Sequence, residues 1–367
     1  MKIAHVQVKP ILSGAQQVSY DILASLSSEP YKLYIICSDF DENSSEFIEK
    51  FKSINVEIIN IPMLKRELGF HDIKCFFELY SLFKNYDFDI IHTNSTKPAI
   101  LARIAARLAG CKKIIHTVHG IAFHKHISLL KRFIFYFAEL FSLYFGHVNI
   151  SVNKIYAKYY PLSHTKTIYN GIDFSSLNFN KSKLNTGSIH FAFFARLDEQ
   201  KNPLDFIRAI FLLKNEGFLN DKLSFSIAGD GELKEECELL IKEYKLQHYV
   251  KMVGWVNDKS AFFNTVDVLC QPSKWEAFGL VFIEAAFFEI PSIATDVEGI
   301  PEVVLDGVTG LLCDTNAISL KNCMIKFIEN PKLIMEFGQK ARVRAINEFN
   351  KQRMINQYTS IYFDDSV

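Results

Sequence analysis

Two glutamates with seven residues between them, Glu276 and Glu284, lie in the segment KWEAFGLVFIEAAFFE. An apolar helical stretch begins near Phe278 or Gly279, and the N–H groups and positive dipole end of such a helix start can seat a phosphate. Glu276, just before the helix, is placed to face a sugar. Glu284, more than one turn into it, can accept hydrogen bonds from two ribose hydroxyls. The alternative interpretation is that both glutamates are solvated charges on a helix surface.

Two basic residues, Arg196 and Lys201, follow a predicted strand in the segment FFARLDEQKNP. Ligands of open α/β sheets bind beyond the carboxyl ends of the strands, which puts both cations where phosphates are held. Fixed Arg and Lys side chains can stabilise the negative charge on a leaving nucleoside diphosphate without a metal ion. The glycine turn in IAGDGE, residues 227–232, is a weaker sign, because such turns are more often plain connections.

The first half of the chain has three loops after predicted strands, in LSGAQQV, HTNSTKP and HTVHGIAFH. Gly14 lies in the first loop, where a missing side chain lets the backbone approach a phosphate. His119 directly follows IIHTV, and its imidazole can hydrogen-bond a sugar hydroxyl, although a lone histidine after a strand is more often structural. Lys97 either contacts donor phosphate or acceptor, or is a solvated lysine at a helix start.

Short β-type runs alternate with helical patterns along the first half, from KIAHVQV through AQQVSYDILASL to KKIIHTV. This alternation predicts βαβ units and a doubly wound parallel sheet with helices on both faces. The pattern restarts after about residue 185 with SIHFAFFARL, which predicts a second α/β domain. The segment between them, NGIDFSSLNFNKSKLNTGS, is typical of a linker. We expect a ligand-binding cleft between the two domains.

The composition agrees with two globular domains, because 367 residues exceed what one hydrophobic core usually serves. Lysine plus arginine equals aspartate plus glutamate, at 41 each, so nothing suggests nucleic acid as a partner. Seven scattered cysteines form no zinc-ligand pattern and are predicted to be buried, reduced thiols. The N-terminal apolar run is too short for a signal peptide, so we expect a cytoplasmic protein.

Seven motifs in order along the second half carry a family resemblance: AR-L-x-x-x-KN, AGDGE, VGW, PSKWEAFGLVFIEA, P-x-IAT, EGIPEVV and DGVTGLL. Together they resemble the retaining GT-B glycosyltransferases of family 4, also called glycosyltransferase group 1, of the kind that builds bacterial surface polysaccharides. The resemblance implies two Rossmann-like domains. We expect an acceptor-side domain over 1–175, a nucleotide-sugar-binding domain over 176–347, and a final helix at about 348–364 that packs back on the first.

The resemblance also implies roles for the candidate residues. Glu276 would contact the transferred sugar and Glu284 the ribose, while Arg196 and Lys201 would bind the diphosphate. Backbone groups of Phe278, Gly279 and Leu280 would line the phosphate pocket, and backbone of the VGW segment would face the base. His119 corresponds to the family's histidine next to the donor sugar. The Gly14 loop departs from the pattern, because Ser13 stands at the first of two usual glycines and Gln16 where a glutamate is common.

The resemblance further implies a hexosyltransferase that needs no metal and no cofactor, with a UDP-sugar as the default donor and a lipid-linked glycan as the acceptor. One alternative is a non-catalytic nucleotide-sugar-binding subunit of a membrane glycan-assembly complex. A second is a metal-dependent transferase of the other common glycosyltransferase fold, since the DFD at Asp39–Asp41 follows a predicted strand. A further DFD at Asp87–Asp89 precedes its strand, on the wrong side for a cation site.

Residues 127–146 include an unusually aromatic predicted helix that Lys131 and Arg132 precede. Two interpretations stay open. The helix can lie on the inner face of the cytoplasmic membrane, with cations on anionic headgroups and aromatic rings at the interface, or it can pack its apolar side on the core. The run from Phe133 to Gly146 contains Glu139 and is too short to span a bilayer, which takes roughly 20 residues.

Overall fold

The computed structural model describes residues 1–65, 69–94, 96–123, 127–160, 165–180 and 187–364, without the side chains of 96–98. The chain forms two compact units, which we call unit 1 (Met1–Gly171 with Lys351–Val367) and unit 2 (Ile172–Asn350). Each unit contains one parallel β-sheet and its own covering helices. The predicted α/β class, with two doubly wound sheets, is confirmed.

The two sheets share one strand order. Unit 1 has the order β3-β2-β1-β4-β5-β6-β7, and unit 2 has β10-β9-β8-β11-β12-β13. The strands of unit 1 are β1 (Lys2–Val6), β2 (Lys32–Cys37), β3 (Glu57–Asn60), β4 (Ile90–Asn94), β5 (Lys113–Val118), β6 (Val148–Ser151) and β7 (Lys166–Thr167). The strands of unit 2 are β8 (Ile189–Phe194), β9 (Leu223–Ala228), β10 (Val250–Gly254), β11 (Val268–Gln271), β12 (Ser292–Thr295) and β13 (Gly310–Cys313). The order reverses between β1 and β4 and between β8 and β11, and ligands bind at such switch points.

Helices connect the strands as the βαβ pattern requires. Those of unit 1 are α1 (Gly14–Leu26), α2 (Ser45–Lys52), α3 (His71–Tyr86), α4 (Thr96–Ala109), α5 (Leu129–Leu143), α6 (Lys154–Ala157) and the C-terminal α13 (Lys351–Tyr362). Those of unit 2 are α7 (Pro203–Asn215), α8 (Lys234–Glu243), α9 (Lys259–Phe263), α10 (Leu280–Phe287), α11 (Ala317–Glu329) and α12 (Lys332–Glu348). The predicted helix start at residue 278 or 279 is observed at Leu280, with Gly279 as its N-cap.

Both faces of the unit 1 sheet are covered. Helices α1, α2 and α13 contribute buried side chains to one cluster, and α3 and α4 contribute to a second cluster with the opposite residues of the same strands. The buried side of α13 is a helical stripe of Met354, Ile355, Tyr358, Ile361 and Tyr362. The last helix of the chain is therefore part of the unit 1 core, although the rest of unit 1 ends at Gly171.

One face of the unit 2 sheet packs in a continuous apolar core with α7, α8 and α11. Phe191 of β8 stacks on Phe225 of β9 with ring centroids 5.5 Å apart, and Phe193 packs near Phe206 of α7. Aromatic pairs of this kind add to the free energy gained from burial alone. This core supports the strands β8 and β11, whose carboxyl ends carry the loops with the predicted site residues.

Helix α5 is oriented with its apolar side outward. Its buried positions include Glu139 and Ser142, whereas seven apolar side chains of the helix and its C-cap are 52% to 73% exposed: Leu129, Leu130, Phe133, Ile134, Phe137, Phe141 and Tyr144. The interpretation of this helix as core-facing is thus wrong for these seven residues. In the described part of the chain, no helix combines the length and the apolar character needed to cross a bilayer.

Candidate functional site

The loop between β8 and α7 holds the two predicted cations. The Arg196 guanidinium lies 3.0 Å from the Asp198 carboxylate, whose other oxygen accepts the Lys201 backbone N–H at 2.9 Å. Asp198 therefore orders a turn that carries both basic residues. The Arg196 side chain is 64% exposed and is accessible to a ligand.

The glycine turn after β9 positions this loop. Gly229 has a φ of +144°, and a Cβ atom there would lie 1.8 Å from the Ala195 carbonyl oxygen. The next residue, Asp230, accepts the Leu197 N–H at 2.9 Å. Only glycine permits this close backbone approach, so the GDG turn acts by supporting the Arg196 loop.

A lysine–glutamate pair lies at the switch point of the unit 2 sheet. Lys201 follows β8, Glu276 follows the neighbouring strand β11, and the Lys201 ammonium donates a hydrogen bond to the Glu276 carboxylate. Their side chains are only 16% and 13% exposed. Charge-assisted hydrogen bonds are among the strongest in proteins, so each side chain fixes the other.

Further contacts join the loops around this pair. The Gln200 side-chain amide donates to the Trp275 carbonyl at 3.0 Å, and the Lys274 N–H donates to the Gln200 carbonyl at 2.8 Å. The Glu276 carbonyl accepts the Gly299 N–H, at 3.1 Å, from the loop after β12. Three consecutive strands of the sheet order, β8, β11 and β12, thus contribute loops to one site.

The start of α10 has the geometry of an anion seat. Gly279 at the N-cap has a φ of +83° and, as a glycine, offers no side chain to cap the helix. A Cβ atom at Gly279 would lie 2.5 Å from the Phe282 ring. The Phe278 ring is buried and packs edge-to-face on Phe349 at 5.6 Å, which leaves backbone groups at Leu280 and its neighbours to meet a ligand. N–H groups at a helix start have no intrahelical acceptor and attract anions.

The second glutamate of the pair, Glu284, lies one turn into α10. Its carboxylate is 2.6 Å from the Lys259 ammonium of α9 and its side chain is 16% exposed. The interpretation of Glu276 and Glu284 as solvated surface charges is therefore wrong, because each is mostly buried and is bonded to a lysine.

In unit 1, His119 follows β5 and is half-buried. Its Nε2 lies 2.9 Å from the Asn94 side-chain oxygen at the end of β4. Burial, and secondarily His116, lower the pKa of His119 from 6.5 to about 3. The imidazole is therefore neutral at pH 7. With Nε2–H donating to Asn94, Nδ1 is left as an acceptor.

The loop after β1 contains the predicted glycine. Gly14 is the exposed first residue of α1, and the side chains of Ser13 and Gln16 hydrogen-bond each other beside it. The Gln16 amide also donates to the Lys9 carbonyl at 3.1 Å. The two residues that depart from the family pattern thus stabilise the loop together. The Lys97 side chain lies outside the described residues.

Both DFD segments have structural partners. The Asp41 carboxylate accepts the Asn43 N–H and the Ser44 hydroxyl just before α2, as a helix-start residue does. Asp89 pairs with Lys112 at 2.9 Å and accepts the Lys2 N–H at 2.9 Å.

Sequence reasoning missed three residues that hold the candidates in place: Asp198, Lys259 and Asn94. Asp198 and Asn94 are inside the segments ARLDEQKNP and HTNSTKP. Their position as polar residues close to predicted ligand-binding residues was the signal that could have identified them. Lys259 is 25 residues from Glu284 and belongs to no recognisable motif. Its role follows only from the fold.

Comparison with known proteins adds two family matches that together span nearly the whole chain. Residues 175–344 match the sequence family described as Glycosyl transferases group 1, and residues 12–176 match Glycosyltransferase Family 4.

Two relatives and one solved structure are informative. An Escherichia coli protein named UDP-Gal:alpha-D-GlcNAc-diphosphoundecaprenol alpha-1,3-galactosyltransferase is 30% identical, over 99% of this chain and 97% of its own. A Campylobacter jejuni alpha-1,4-N-acetyl-D-galactosaminyltransferase is 27% identical, over 86% of this chain and 85% of its own length. Its name specifies a PP-undecaprenol-linked acceptor. The structure of Anabaena HepE in complex with UDP superposes with a TM-score of 0.80 at 19% sequence identity. The match covers 98% of this chain and 99% of the HepE chain.

Proposed function

Since the chain belongs to the group 1 glycosyltransferases of family 4, we propose that it moves a hexose or N-acetylhexosamine from a nucleotide sugar onto a lipid-linked glycan. The chain is a GT-B glycosyltransferase of polysaccharide synthesis. The finer statement is supported by two relatives whose names specify undecaprenol-linked acceptors. The observation that carries the donor assignment is the Lys201–Glu276 pair at the switch point of unit 2.

The donor is proposed to bind unit 2 through its diphosphate. Arg196 and Lys201 would bind the phosphate oxygens together with the N–H groups at the start of α10. Glu284 would accept hydrogen bonds from the ribose, and Glu276 would contact the sugar. We take UDP as the default nucleotide, since the fold neighbour from Anabaena was crystallised with UDP.

The proposed reaction retains the configuration at the anomeric carbon. The bond from that carbon to the diphosphate oxygen breaks, and the diphosphate leaves with the electron pair. The acceptor hydroxyl attacks from the same face, and its proton passes to an oxygen of the departing diphosphate. Arg196 and Lys201 stabilise the charge that develops on that group. His119, neutral and with an acceptor nitrogen, can orient a sugar hydroxyl.

The experiment that tests this function uses the full chain, labelled UDP-sugars and a sugar-diphosphopolyprenol acceptor in excess EDTA. A donor present at 100 times its Kd should also raise the free energy of unfolding by about 2.7 kcal/mol, which a thermal-shift panel detects. We expect transfer with retained configuration, read from the product by NMR. An inverted product, or loss of activity with EDTA, would contradict the mechanism. Donor binding without transfer or hydrolysis would instead support the non-catalytic alternative.

Contact with the inner face of the membrane is proposed through residues 127–146, where a lipid-linked acceptor would be met. The orientation of α5 supports this. Arg103 of α4 is fully buried and its guanidinium lies 2.8 Å from Glu139, while His116 of β5 lies 3.4 Å from the same oxygen. These contacts hold the polar side of α5 against the sheet, so its apolar side must face outward. Lys131 and Arg132 on the same helix would meet anionic headgroups.

A further inference from the structure

A pocket of about 300 Å³ adjoins the first two turns of α5. The described residues that line it are Phe123, Leu129, Arg132, Phe133, Tyr136 and Tyr159. Phe123 is buried and packs edge-to-face on Tyr136 at 5.3 Å and on Tyr159 at 5.6 Å. The aromatic walls are therefore held by one another before any ligand binds, as in most preformed ligand sites.

One stripe of α5 side chains lines the pocket. Leu129, Arg132, Phe133 and Tyr136 follow the i, i+3, i+4, i+7 spacing of one helix face and line the pocket. Leu130 and Lys131 lie between them in sequence but outside the pocket, and both are exposed. The pocket stripe adjoins the outward apolar side of α5, because Leu129 and Phe133 are themselves 71% and 60% exposed and Phe133 stacks on Phe137 at 6.3 Å.

Arg132 is the one cation among the described residues that line the pocket. It is half-buried, and in the described part of the chain its guanidinium makes no salt bridge and no side-chain hydrogen bond. A guanidinium beside apolar walls gains most from an anion, and its planar fork matches phosphate oxygens. The site therefore suits a ligand that carries a phosphate next to a hydrocarbon chain.

We propose that this pocket binds the lipid carrier of the acceptor, with the diphosphate on Arg132 and the first isoprene units between Phe123, Tyr136 and Tyr159. The identity of the ligand rests on the proposed function. The volume of about 300 Å³ is at the lower end of the range for ligand pockets, about 300–1,000 Å³, so the pocket suits the first part of a prenyl chain and not its whole length. The pocket would then position the acceptor by its carrier rather than by its sugar.

The test titrates the full chain with farnesyl diphosphate, a soluble short-chain carrier, by isothermal titration calorimetry with UDP present to occupy the donor site. Arg132→Gln keeps much of the side-chain length but removes the charge, and Lys131→Gln is its matched control one residue away. We expect Arg132→Gln to weaken binding about tenfold and Lys131→Gln to change it less than twofold, because only Arg132 lines the pocket.

A second matched pair tests the apolar part. Leu129 is 71% exposed and lines the pocket, whereas Leu130 is 72% exposed and does not, so an aspartate at either position should leave the fold intact. We expect Leu129→Asp to weaken farnesyl diphosphate binding at least tenfold and Leu130→Asp to leave it unchanged. Farnesol and inorganic pyrophosphate, each offering half of the ligand, should both bind more weakly than farnesyl diphosphate.

Three results would overturn the proposal. Equal losses with Arg132→Gln and Lys131→Gln would mean nonspecific attraction to an anionic lipid. Loss of farnesyl diphosphate binding with Lys201→Ala would place the diphosphate in the donor site of unit 2. Absence of binding at millimolar ligand would mean that the pocket takes no prenyl phosphate. None of these results depends on sugar transfer, so each is distinguishable from failure of the proposed function, which donor hydrolysis by the same variants reports.

Discussion

The two units repeat one strand order but place their charged groups differently. In unit 2 the Lys201–Glu276 pair lies beyond the strand ends, and the Lys259–Glu284 pair joins the start of α9 to α10. Both pairs are partly exposed and lie above an apolar core. In unit 1 an ion pair is fully enclosed, since Arg103 and Glu139 are 0% and 1% exposed. Burial opposes the ionisation of Glu139, yet Arg103 and His116 lower its pKa. Charges at strand ends are available to a ligand, whereas the enclosed pair holds α5 in place.

Unit 1 also buries histidines that unit 2 lacks. His5 of β1 and His92 of β4 both hydrogen-bond the Tyr362 hydroxyl of α13, and His92 also bonds Thr117 at 2.7 Å. Burial, and secondarily His119, lower the pKa of His5 to about 3. Burial likewise holds the pKa of His92 well below 6.5. Neutral histidines therefore tie the last helix of the chain to the unit 1 sheet.

The largest expected effect comes from breaking the enclosed pair. Glu139→Ala leaves the Arg103 guanidinium buried without its partner and should lower the free energy of unfolding by about 3–5 kcal/mol, measured with urea. Both tryptophans, Trp255 and Trp275, lie in unit 2. The urea midpoint followed by their fluorescence should therefore shift less than the midpoint followed by circular dichroism. The double variant Arg103→Leu/Glu139→Leu should recover much of the loss. A loss below about 1 kcal/mol would mean that the pair does not hold α5.

The next effect concerns activity rather than stability. Lys201→Ala removes a cation from the proposed diphosphate site and should lower kcat by about 10²–10³-fold, as loss of one transition-state donor does. Lys340→Ala is the control, since Lys340 pairs with Glu336 on the surface of α12. A fully active Lys201→Ala enzyme would refute the phosphate role.

The third effect is a pH dependence confined to unit 1. A histidine whose folded pKa is lowered binds fewer protons in the folded state, so its stabilisation is complete above pH 6.5 and falls as the pH drops towards 3. Each such group adds a slope of up to about 1.4 kcal/mol per pH unit. His5→Gln should reduce this slope in urea titrations between pH 7 and 4.5. His248→Gln, at a side chain 76% exposed in unit 2, should leave it unchanged, and equal slopes for all three proteins would contradict the assignment.

The smallest effect is expected on the outward side of α5. Phe137→Asp replaces a 60% exposed apolar residue and should weaken binding to vesicles containing anionic lipid by about tenfold, at unchanged stability. Leu239→Asp, at a 67% exposed apolar residue of unit 2, serves as the control. Co-flotation at low salt measures both, and a wild-type protein that fails to float would remove the membrane contact.

Much of the fold could be predicted from the sequence because its signals are local. Strand-length apolar runs and helical periods gave the two doubly wound sheets, and the site candidates lie in loops directly after predicted strands. The short edge strands β6 and β7 were not predicted; β7 has only two residues, which is too few to show an alternating pattern. The orientation of α5 was open for a different reason. A helical period identifies an apolar side but not whether it faces the sheet, and here the contact between Arg103 and Glu139, 36 residues apart, decides.

The anion seat of unit 2 is most directly tested by a crystal structure of the chain with UDP, grown in EDTA. We predict the diphosphate at the start of α10, with its oxygens within hydrogen-bond distance of Arg196 and Lys201 and with the ribose hydroxyls on Glu284. A diphosphate held elsewhere in the chain would contradict the account.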